Sequence, residues 1–217
     1  MNTSTLVHIP IDGVTVEGML EIPEHALGLV LFAHGSGSSR HSPRNNYVAG
    51  VLREAGVGTL LMDLLTPEED RDVAQRFDIG LLTQRLLAAA RWAHGQPSAR
   101  GLPLGFFGAS TGAAAAIEAA ALLGADAAAV VSRGGRPDLA SRAALATVRA
   151  PTLLLVGGWD DGVIELNQQA YAQLACEKEL SIVPGATHLF EEPGTLEQVA
   201  QQAALWFAGH FAPIPHA

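Results

Sequence analysis

The chain has 217 residues, of which 48% are hydrophobic and only 16% are charged, and its formal net charge at pH 7 is −9. This composition predicts a compact globule that fits one domain over residues 1–217, and it argues against a disordered or fibrous chain. The acidic charge and the lack of a Lys/Arg-rich run argue against nucleic acid or an anionic membrane surface as a partner.

The hydrophobic pattern changes once along the chain. Residues 1–23 alternate weakly between apolar and polar around Ile11–Gly13, which predicts an antiparallel hairpin. Short, unbroken apolar runs follow, and such runs are typical of strands buried on both faces of a parallel sheet. These runs are Leu27–Ala33, Val57–Met62, Pro103–Phe107, Ala127–Ser132 and Thr152–Val156, and a last strand is predicted near Leu180–Val183.

Helical segments separate and follow these strands. They are predicted at Asn45–Ala55, Ile79–Ala93, Ser110–Leu123, Glu165–Ala175 and Thr195–His210, and the tail 211–217 is predicted to be frayed. Alternation of strands and helices predicts an α/β fold with right-handed crossovers. We therefore expect a mostly parallel central sheet with an N-terminal antiparallel hairpin and helices on both faces.

A serine stands between the predicted strand Pro103–Phe107 and the following helix. The stretch is Gly108-Ala-Ser110-Thr-Gly112, with glycine two positions before and two positions after the serine. In a strand–turn–helix context this G-x-S-x-G pattern is typical of a nucleophile elbow. Side chains at the glycine positions would collide with backbone, and the turn places the serine oxygen near a helix N-terminus, where a developing anion is favoured. We therefore predict that Ser110 is a catalytic nucleophile.

A serine nucleophile needs a base that accepts its proton and an acid that orients the base. In this arrangement both are expected after the serine, Asp or Glu first and His second, each in a loop after a strand. Asp160 follows the strand Thr152–Val156, and His188 follows the last strand. Because catalytic groups of open α/β sheets gather outside the carboxyl ends of the strands, the three side chains are expected to converge.

The acid has three candidates. Asp160 is preferred because it is the first carboxylate beyond Gly157 and Gly158; Asp161 comes next, and Asp138, after the preceding strand, is the third. An aspartate that does not serve as the acid is expected in an ordinary turn or as a helix N-cap. For His188 the alternative is a hydrogen-bonded surface histidine.

Attack on a carbonyl also requires N–H donors for the oxyanion. The backbone N–H of Thr111, directly after the serine, is one candidate. The second is expected in the small-residue loop His34–Ser39, with Ser36 as the donor and His34 as a structural residue that tethers loops. This loop lacks the lysine and hydroxyl of a P-loop, and no H-E-x-x-H motif is present, so the sequence predicts no nucleotide, other cofactor or metal.

Together these residues resemble the α/β-hydrolase superfamily and its small, lidless dienelactone-hydrolase-like branch. The resemblance covers nearly the whole chain and is carried by Leu29–Gly35, Gly108–Gly112 and Pro184–Phe190. Segments 38–45 and 132–138 are similar to those of bacterial cytoplasmic members known as dienelactone hydrolases or phosphoribosyltransferase-associated hydrolases. The resemblance implies an α/β-hydrolase fold and these roles: nucleophile Ser110, acid Asp160, base His188, and oxyanion donors Ser36 and Thr111.

The chain departs from this family pattern at two positions. Dienelactone hydrolases carry cysteine as the nucleophile and glutamate after the first oxyanion-loop histidine, where this chain has Ser110 and Gly35. Serine-esterase activity therefore fits these residues better than activity on dienelactone itself. Cap domains of the superfamily usually follow the strand that ends here near Ser132, and only residues 133–150 are available for one. The resemblance thus implies no cap domain and a shallow, open pocket.

Arginines near the predicted mouth of this pocket bear on the substrate. Arg40, Arg44 and Arg133 either meet an acidic substrate or pair with surface carboxylates. An open pocket suits small soluble esters better than long lipids. We therefore expect a carboxylic ester hydrolase that acts through an acyl-enzyme, as a monomer or homodimer. The alternatives are a lactonase or thioesterase with the same residues, and a non-catalytic binding module on the same fold.

The N-terminal residues and the single cysteine indicate in which cellular compartment the protein is expected. Residues 1–5 lack the basic and apolar regions of a signal peptide, and no apolar run approaches the roughly 20 residues needed to span a bilayer. Cys176 has no second cysteine for an internal disulfide, which fits a reducing environment. The sequence therefore predicts a cytoplasmic protein without a membrane partner.

Overall fold

The computed structural model describes residues 4–211, which contain one eight-stranded sheet flanked by helices. The strands are β1 (Thr5–Ile11), β2 (Val14–Glu21), β3 (Leu29–Ala33), β4 (Gly58–Met62), β5 (Leu104–Ala109), β6 (Ala127–Arg133), β7 (Thr152–Gly157) and β8 (Lys178–Val183). Their order across the sheet is β1-β2-β4-β3-β5-β6-β7-β8.

An antiparallel hairpin occupies one edge of this sheet. β1 and β2 are joined by a turn at Asp12 and Gly13, whose φ angles are +44° and +87°. Positive φ at both central residues gives the turn a twist that matches the strands, and Asp-Gly tolerates it well. β2 pairs antiparallel with β4, and the remaining neighbouring strands pair parallel. The predicted mostly parallel sheet with an N-terminal antiparallel hairpin is confirmed.

Helices cover both faces of the sheet, as predicted. α1 and α7 pack together on one face, and α3, α4, α5 and α6 cover the other, whereas the short α2 buries no residue. Within the described residues the helices are α1 (Pro43–Glu54), α2 (Val73–Arg76), α3 (Ile79–His94), α4 (Thr111–Leu123), α5 (Arg142–Thr147), α6 (Asp161–Gln173) and α7 (Thr195–Phe211).

The central strands are buried on both faces, which explains their unbroken apolar sequences. Every residue of β3, β4, β5 and β7 is buried. On the face covered by α1 and α7, the rings of Phe32 and Phe107 pack with their centroids 4.8 Å apart. On the other face, Ala113–Ala116 of α4 are fully buried, and their small side chains let this helix lie close to the sheet. The N-terminus of α4 is thereby held against the end of β5.

Several boundaries differ from the predicted ones, including the starts of α6 and β8 and the end of α7. α6 begins at Asp161, four residues earlier than predicted, with Asp160 at the N-cap position in the loop after β7. The sequence places the start later because the first two residues of the helix, Asp161 and Gly162, have low helix propensity. β8 begins at Lys178, two residues earlier than predicted. Phe211, placed by the sequence in the frayed tail, is the buried last residue of α7, and residues 212–217 of that tail lie outside the described residues.

The connection between β6 and β7 is short. Residues 134–151 hold a 3-10 turn at Pro137–Leu139 and the six-residue helix α5, and they form no cap domain, as predicted. Residues 134–151 therefore add no further layer of structure over the carboxyl ends of the central parallel strands or over the loops that follow those strands. Across residues 4–211, none of the helices combines the length and the apolar character that crossing a bilayer requires.

Candidate active site

Ser110 joins β5 to α4 in a strained turn. Its φ is +51° and its ψ is −122°, a backbone conformation that residues other than glycine rarely adopt. Its N–H donates to the carbonyl of Arg133 at the end of β6 (3.3 Å), and its own carbonyl accepts from the N–H groups of Ala113 (3.1 Å) and Arg136 (3.0 Å). These bonds hold the strained residue in place at the carboxyl end of β5.

The glycines on either side of Ser110 make this turn possible. A Cβ atom at Gly112 would lie 2.2 Å from the carbonyl oxygen of Ala33, and one at Gly108 would lie 2.4 Å from the Cα atom of Ala113. Both obstacles are backbone atoms, which cannot rotate away as a side chain can. The predicted strand–turn–helix context and the predicted steric role of both glycines are therefore confirmed.

Asp160 and His188 meet beside this turn. The Nδ1 atom of His188 lies 2.6 Å from the Oδ2 atom of Asp160. Asp160 holds the N-cap position of α6 but makes no capping bond with its side chain, so its carboxylate is available to the histidine. A carboxylate at Nδ1 keeps the ring proton on that nitrogen and leaves Nε2 as the basic atom.

The other two candidate acids lie elsewhere. Asp161 is exposed in the first turn of α6. Asp138 accepts two hydrogen bonds from the guanidinium of Arg136, at 2.8 Å and 2.7 Å. Of the three aspartates considered, Asp160 is the one that the structure places against His188.

A close approach of two loops sets the distance between Asp160 and His188. A Cβ atom at Gly157, at the end of β7, would lie 2.4 Å from the carbonyl oxygen of Ala186, which follows β8. The N–H of Trp159 donates to the same carbonyl (2.9 Å). Because this contact joins the loop of Asp160 to the loop of His188, it fixes the two side chains relative to each other.

The loop that carries His188 is also braced from within. The hydroxyl and the N–H of Thr187 donate to the two carboxylate oxygens of Glu192, at 2.7 Å and 3.0 Å, and these bonds lower the pKa of Glu192 below its ordinary value. Phe190 has a φ of +55° and is buried, which anchors the chain directly beyond the histidine. His188 therefore projects from a loop that is held on both sides.

Ser110 and His188 line one pocket of about 280 Å³. The loop after β3, the first turn of α1, the end of β6 and the turn at His188 surround it. Arg44 and Arg133, two of the three arginines that the sequence predicts near the substrate, also line it. The structure thus brings the predicted nucleophile, the predicted base and two cationic side chains to a single pocket.

The two predicted oxyanion donors lie next to each other. The N–H of Ser36 donates to the Oγ1 atom of Thr111 (3.0 Å), so this donor already has an acceptor. Thr111 is the first residue of α4, and the N–H groups of a first helical turn have no intrahelical acceptor. Thr111 therefore offers a donor at the helix N-terminus, while Ser36 is engaged by a neighbouring hydroxyl.

His34 connects the loop after β3 to the segment after β4. Its Nε2 atom accepts from the N–H of Leu64 (3.0 Å), and its Nδ1 atom donates to the carbonyl of Gly35 (3.0 Å). This pair of bonds requires a neutral ring with its proton on Nδ1. Burial lowers the pKa of His34 below its ordinary value of 6.5. His34 thus has the tethering role that the sequence predicts.

The neutral His34 should make the protein less stable as the pH falls below about 6.5. The unfolded chain takes up a proton near that pH, whereas the folded chain does so only at a lower pH, so the unfolded state binds more protons in this range. The free energy of unfolding should then fall by up to about 1.4 kcal/mol per pH unit from this group alone. Urea unfolding of the wild type and of His34→Gln between pH 7.5 and about pH 5 measures the difference.

In this comparison His34→Gln should show a shallower loss of stability than the wild type. His41 is exposed, so His41→Gln should keep the wild-type slope and serves as the matched control. Equal slopes for the wild type and His34→Gln would contradict the assignment of a neutral, buried His34.

Arg133 and Asn45 form a polar contact inside the fold. Arg133 is only 8% exposed, and its Nη2 atom donates to the Oδ1 atom of Asn45 on α1 (3.2 Å). Burial and the nearby Arg44 lower the pKa of Arg133 to about 10, which leaves it charged at neutral pH. The sequence did not single out Asn45, because an isolated asparagine in an amphipathic helix has no pattern that separates it from exposed polar positions.

Arg44 and Arg40 have different surroundings. Arg44 lines the pocket and pairs with Glu191 at 3.2 Å, where solvent reaches both side chains. Arg40 bonds through its guanidinium to Asp63 and Glu17, and its N–H donates to Asp63 (2.8 Å). It ties the loop after β3 to β2 and the end of β4, and it is not among the residues that line the pocket. The contacts of Arg40 therefore do not support the substrate-binding role predicted for it.

Solved structures share this fold. A dienelactone hydrolase from Anabaena variabilis ATCC 29413 superimposes with a TM-score of 0.93 and 53% sequence identity, over 96% of this chain and 98% of that chain. Est1E from Butyrivibrio proteoclasticus has the same fold, with a TM-score of 0.82 and 18% identity over 97% of this chain and 100% of its own. No protein-family model matches the chain.

A longer relative is known by sequence. A Mycobacterium tuberculosis (strain H37Rv) protein named "Putative phosphoribosyl transferase" is 60% identical over 197 residues, which are 91% of this chain and 44% of that protein. The chain thus spans less than half the length of that relative. Because the Anabaena structure is 53% identical and is covered almost completely, the chain belongs to the dienelactone hydrolase family of the α/β-hydrolase fold.

Proposed function

We propose that the chain is a serine hydrolase that cleaves small soluble carboxylic esters, with Ser110 as the nucleophile, His188 as the base and Asp160 as the residue that orients the base. The observation that carries this proposal is the 2.6 Å contact between His188 Nδ1 and Asp160 Oδ2, at the pocket that Ser110 and His188 share. Family membership supports a hydrolase, and the strained φ of Ser110 supports a nucleophile elbow.

The reaction proceeds through an acyl-enzyme. The Oγ atom of Ser110 attacks the ester carbonyl carbon while His188 Nε2 takes the hydroxyl proton. Asp160 accepts the Nδ1 proton in a hydrogen bond and stabilises the positive ring that forms. His188 then gives its proton to the alcohol oxygen as the carbon–oxygen bond breaks, which leaves the acyl group on Ser110. A water molecule, deprotonated by His188, attacks this acyl carbon and releases the carboxylic acid.

The negative oxygen of each tetrahedral intermediate needs donors near Ser110. The N–H of Thr111 is suited to this role, because it lies at the N-terminus of α4 and directly follows the nucleophile. The N–H of Ser36 is the second donor in this proposal. Since it donates to Thr111 Oγ1 in the structure, the oxyanion must take the place of that hydroxyl as the acceptor.

Labelling with a fluorophosphonate probe tests the proposal. The probe should react once per chain with the wild type and not with Ser110→Ala, and turnover of 4-nitrophenyl acetate should depend on the same residue. Ser38→Ala is the matched control, because Ser38 lines the same pocket but lies in the loop after β3, away from the strained strand–turn–helix position of Ser110. It should retain labelling. A wild type that neither reacts with the probe nor hydrolyses the ester would favour a non-catalytic binding module.

A lactone is a second candidate substrate, favoured by the name of the 53% identical Anabaena structure. The same residues would open a cyclic ester, with the alcohol remaining attached to the acyl chain. Comparison of kcat/KM for a small lactone, the open-chain methyl ester of the same hydroxy acid and a matching thioester separates lactonase, esterase and thioesterase activity.

A further inference from the structure

Arg133 is a buried cation without a buried carboxylate to neutralise it. Its Nη2 atom donates to the neutral amide of Asn45, while Nε and Nη1 have no hydrogen-bond partner within residues 4–211. The other buried arginine of these residues shows the usual arrangement, because Arg85 donates to the carboxylate of Glu69 at 2.6 Å. An unpaired buried charge is costly for a folded protein. The position of Arg133 therefore calls for an anion that the chain itself does not supply.

The location of Arg133 indicates where this anion enters. Arg133 lines the pocket of Ser110 and His188, and its main-chain carbonyl accepts the N–H of Ser110. Arg44 lines the same pocket, and its Glu191 partner is solvent-exposed. Among the described residues that line this pocket there is no aspartate or glutamate. The walls beside the nucleophile therefore carry two positive charges, and within the described part of the chain only that of Arg44 has a carboxylate partner.

We propose that Arg133, together with Arg44, binds an anionic group of the substrate, so that the preferred esters carry a carboxylate or a phosphate in addition to the bond that is cleaved. This inference rests on the proposed function and specifies its substrate class. A guanidinium presents several N–H donors in one plane, which suits the oxygens of either anion. The bound anion supplies the counter-charge that Arg133 lacks and fixes the ester relative to Ser110.

Two matched pairs of esters test this preference. Methyl butyrate is compared with monomethyl glutarate, which adds a carboxylate, and 2-acetoxyethanol is compared with 2-acetoxyethyl phosphate, which adds a phosphate. For each pair the measured quantity is the ratio of kcat/KM for the charged ester to that for the neutral ester. In the wild type at least one ratio should exceed one, and the pair that gives the larger ratio identifies the anion.

The decisive variant is Arg133→Met, which keeps a long apolar side chain and removes the charge. The charged-to-neutral ratio should fall by about 10- to 100-fold, the effect of losing hydrogen bonds to a charged group. Arg136→Met is the matched control, because Arg136 lies three residues away, pairs with Asp138 and is not among the pocket residues. It should keep the wild-type ratio.

Stability separates this role from a purely structural one. If Arg133 served only to hold α1 through Asn45, Arg133→Met would unfold at lower urea concentration and leave the ratio unchanged, and that result would overturn the proposal. Removal of an unpaired buried charge should instead leave the midpoint unchanged or raise it. A wild type that hydrolyses neutral esters through Ser110 but shows no preference for either charged ester would also overturn it, while the proposed function would stand.

Direct binding keeps the anion site testable if no ester is hydrolysed. Glutarate and inorganic phosphate are titrated by calorimetry into Ser110→Ala and into the double variant Ser110→Ala/Arg133→Met. Binding of one anion that is lost in the double variant supports the site, even where the proposed ester hydrolysis has failed. No binding of either anion to Ser110→Ala, or equal binding to both variants, overturns it.

Discussion

Replacement of Asp160 by asparagine should lower kcat/KM for a short ester by about 10³- to 10⁴-fold. The carboxylate at 2.6 Å from His188 Nδ1 keeps the ring proton on that nitrogen and stabilises the charged ring that forms during attack. An amide of the same shape carries no charge and can donate its own N–H to Nδ1, which favours the tautomer with the proton on Nε2. His188 then has no basic atom to present to Ser110.

The neighbouring aspartates provide matched controls for this experiment. Asp161→Asn changes an exposed carboxylate one residue away, and Asp138→Asn changes one that pairs with Arg136, so both should keep kcat/KM within about threefold of the wild type, as surface changes away from a site usually do. Circular dichroism and urea midpoints establish that all three variants are folded. If Asp161→Asn lost most of its kcat/KM while Asp160→Asn stayed active, the acid that orients His188 would be Asp161 and not Asp160.

The parts of the site that the sequence could predict are those set by local chain geometry. Gly108 and Gly112 flank Ser110 at fixed spacing, and their need for close backbone contact follows from the turn itself. Asp160 and His188 each follow a buried strand, and parallel strands place their carboxyl ends along one edge. The order of these residues along the chain therefore carried enough information to place them near one another.

The arginines could not be placed in this way, because their partners are distant in sequence. Arg40 pairs with Glu17 on β2 and with Asp63 after β4, and only the folded sheet brings these three together. A loop arginine near a predicted pocket carries no local signal that tells a structural pairing from a substrate contact. The same limit applies to the contact between Arg133 and Asn45, which connects β6 to α1.

The acceptor of the Ser36 N–H, a predicted oxyanion donor, is also set by a contact between residues that are distant in sequence. The sequence predicts Ser36 from its place in a loop of small residues after β3. The loop meets the first residue of α4 across 75 positions of sequence, and the Thr111 hydroxyl there accepts the Ser36 N–H. A residue's position along the chain indicates that a donor is near the nucleophile, whereas its present acceptor follows from the three-dimensional packing.

Replacement of Gly112 by alanine should destabilise the protein by about 3 kcal/mol or more, as expected for overpacking against atoms that cannot move aside. The added Cβ would lie 2.2 Å from the carbonyl oxygen of Ala33 and 2.6 Å from that of His34, so β3 and α4 would have to separate at the turn of Ser110. Gly50→Ala is the matched control, because its Cβ would meet only the Nη2 atom of Arg53 within α1, at an ordinary contact distance of 3.9 Å, and it should stabilise the protein by about 0.5–1 kcal/mol. Urea unfolding measures both values. A Gly112→Ala variant within about 0.5 kcal/mol of the wild type, the range of a neutral surface change, would show that β3 can retract and that the turn tolerates a side chain at this position.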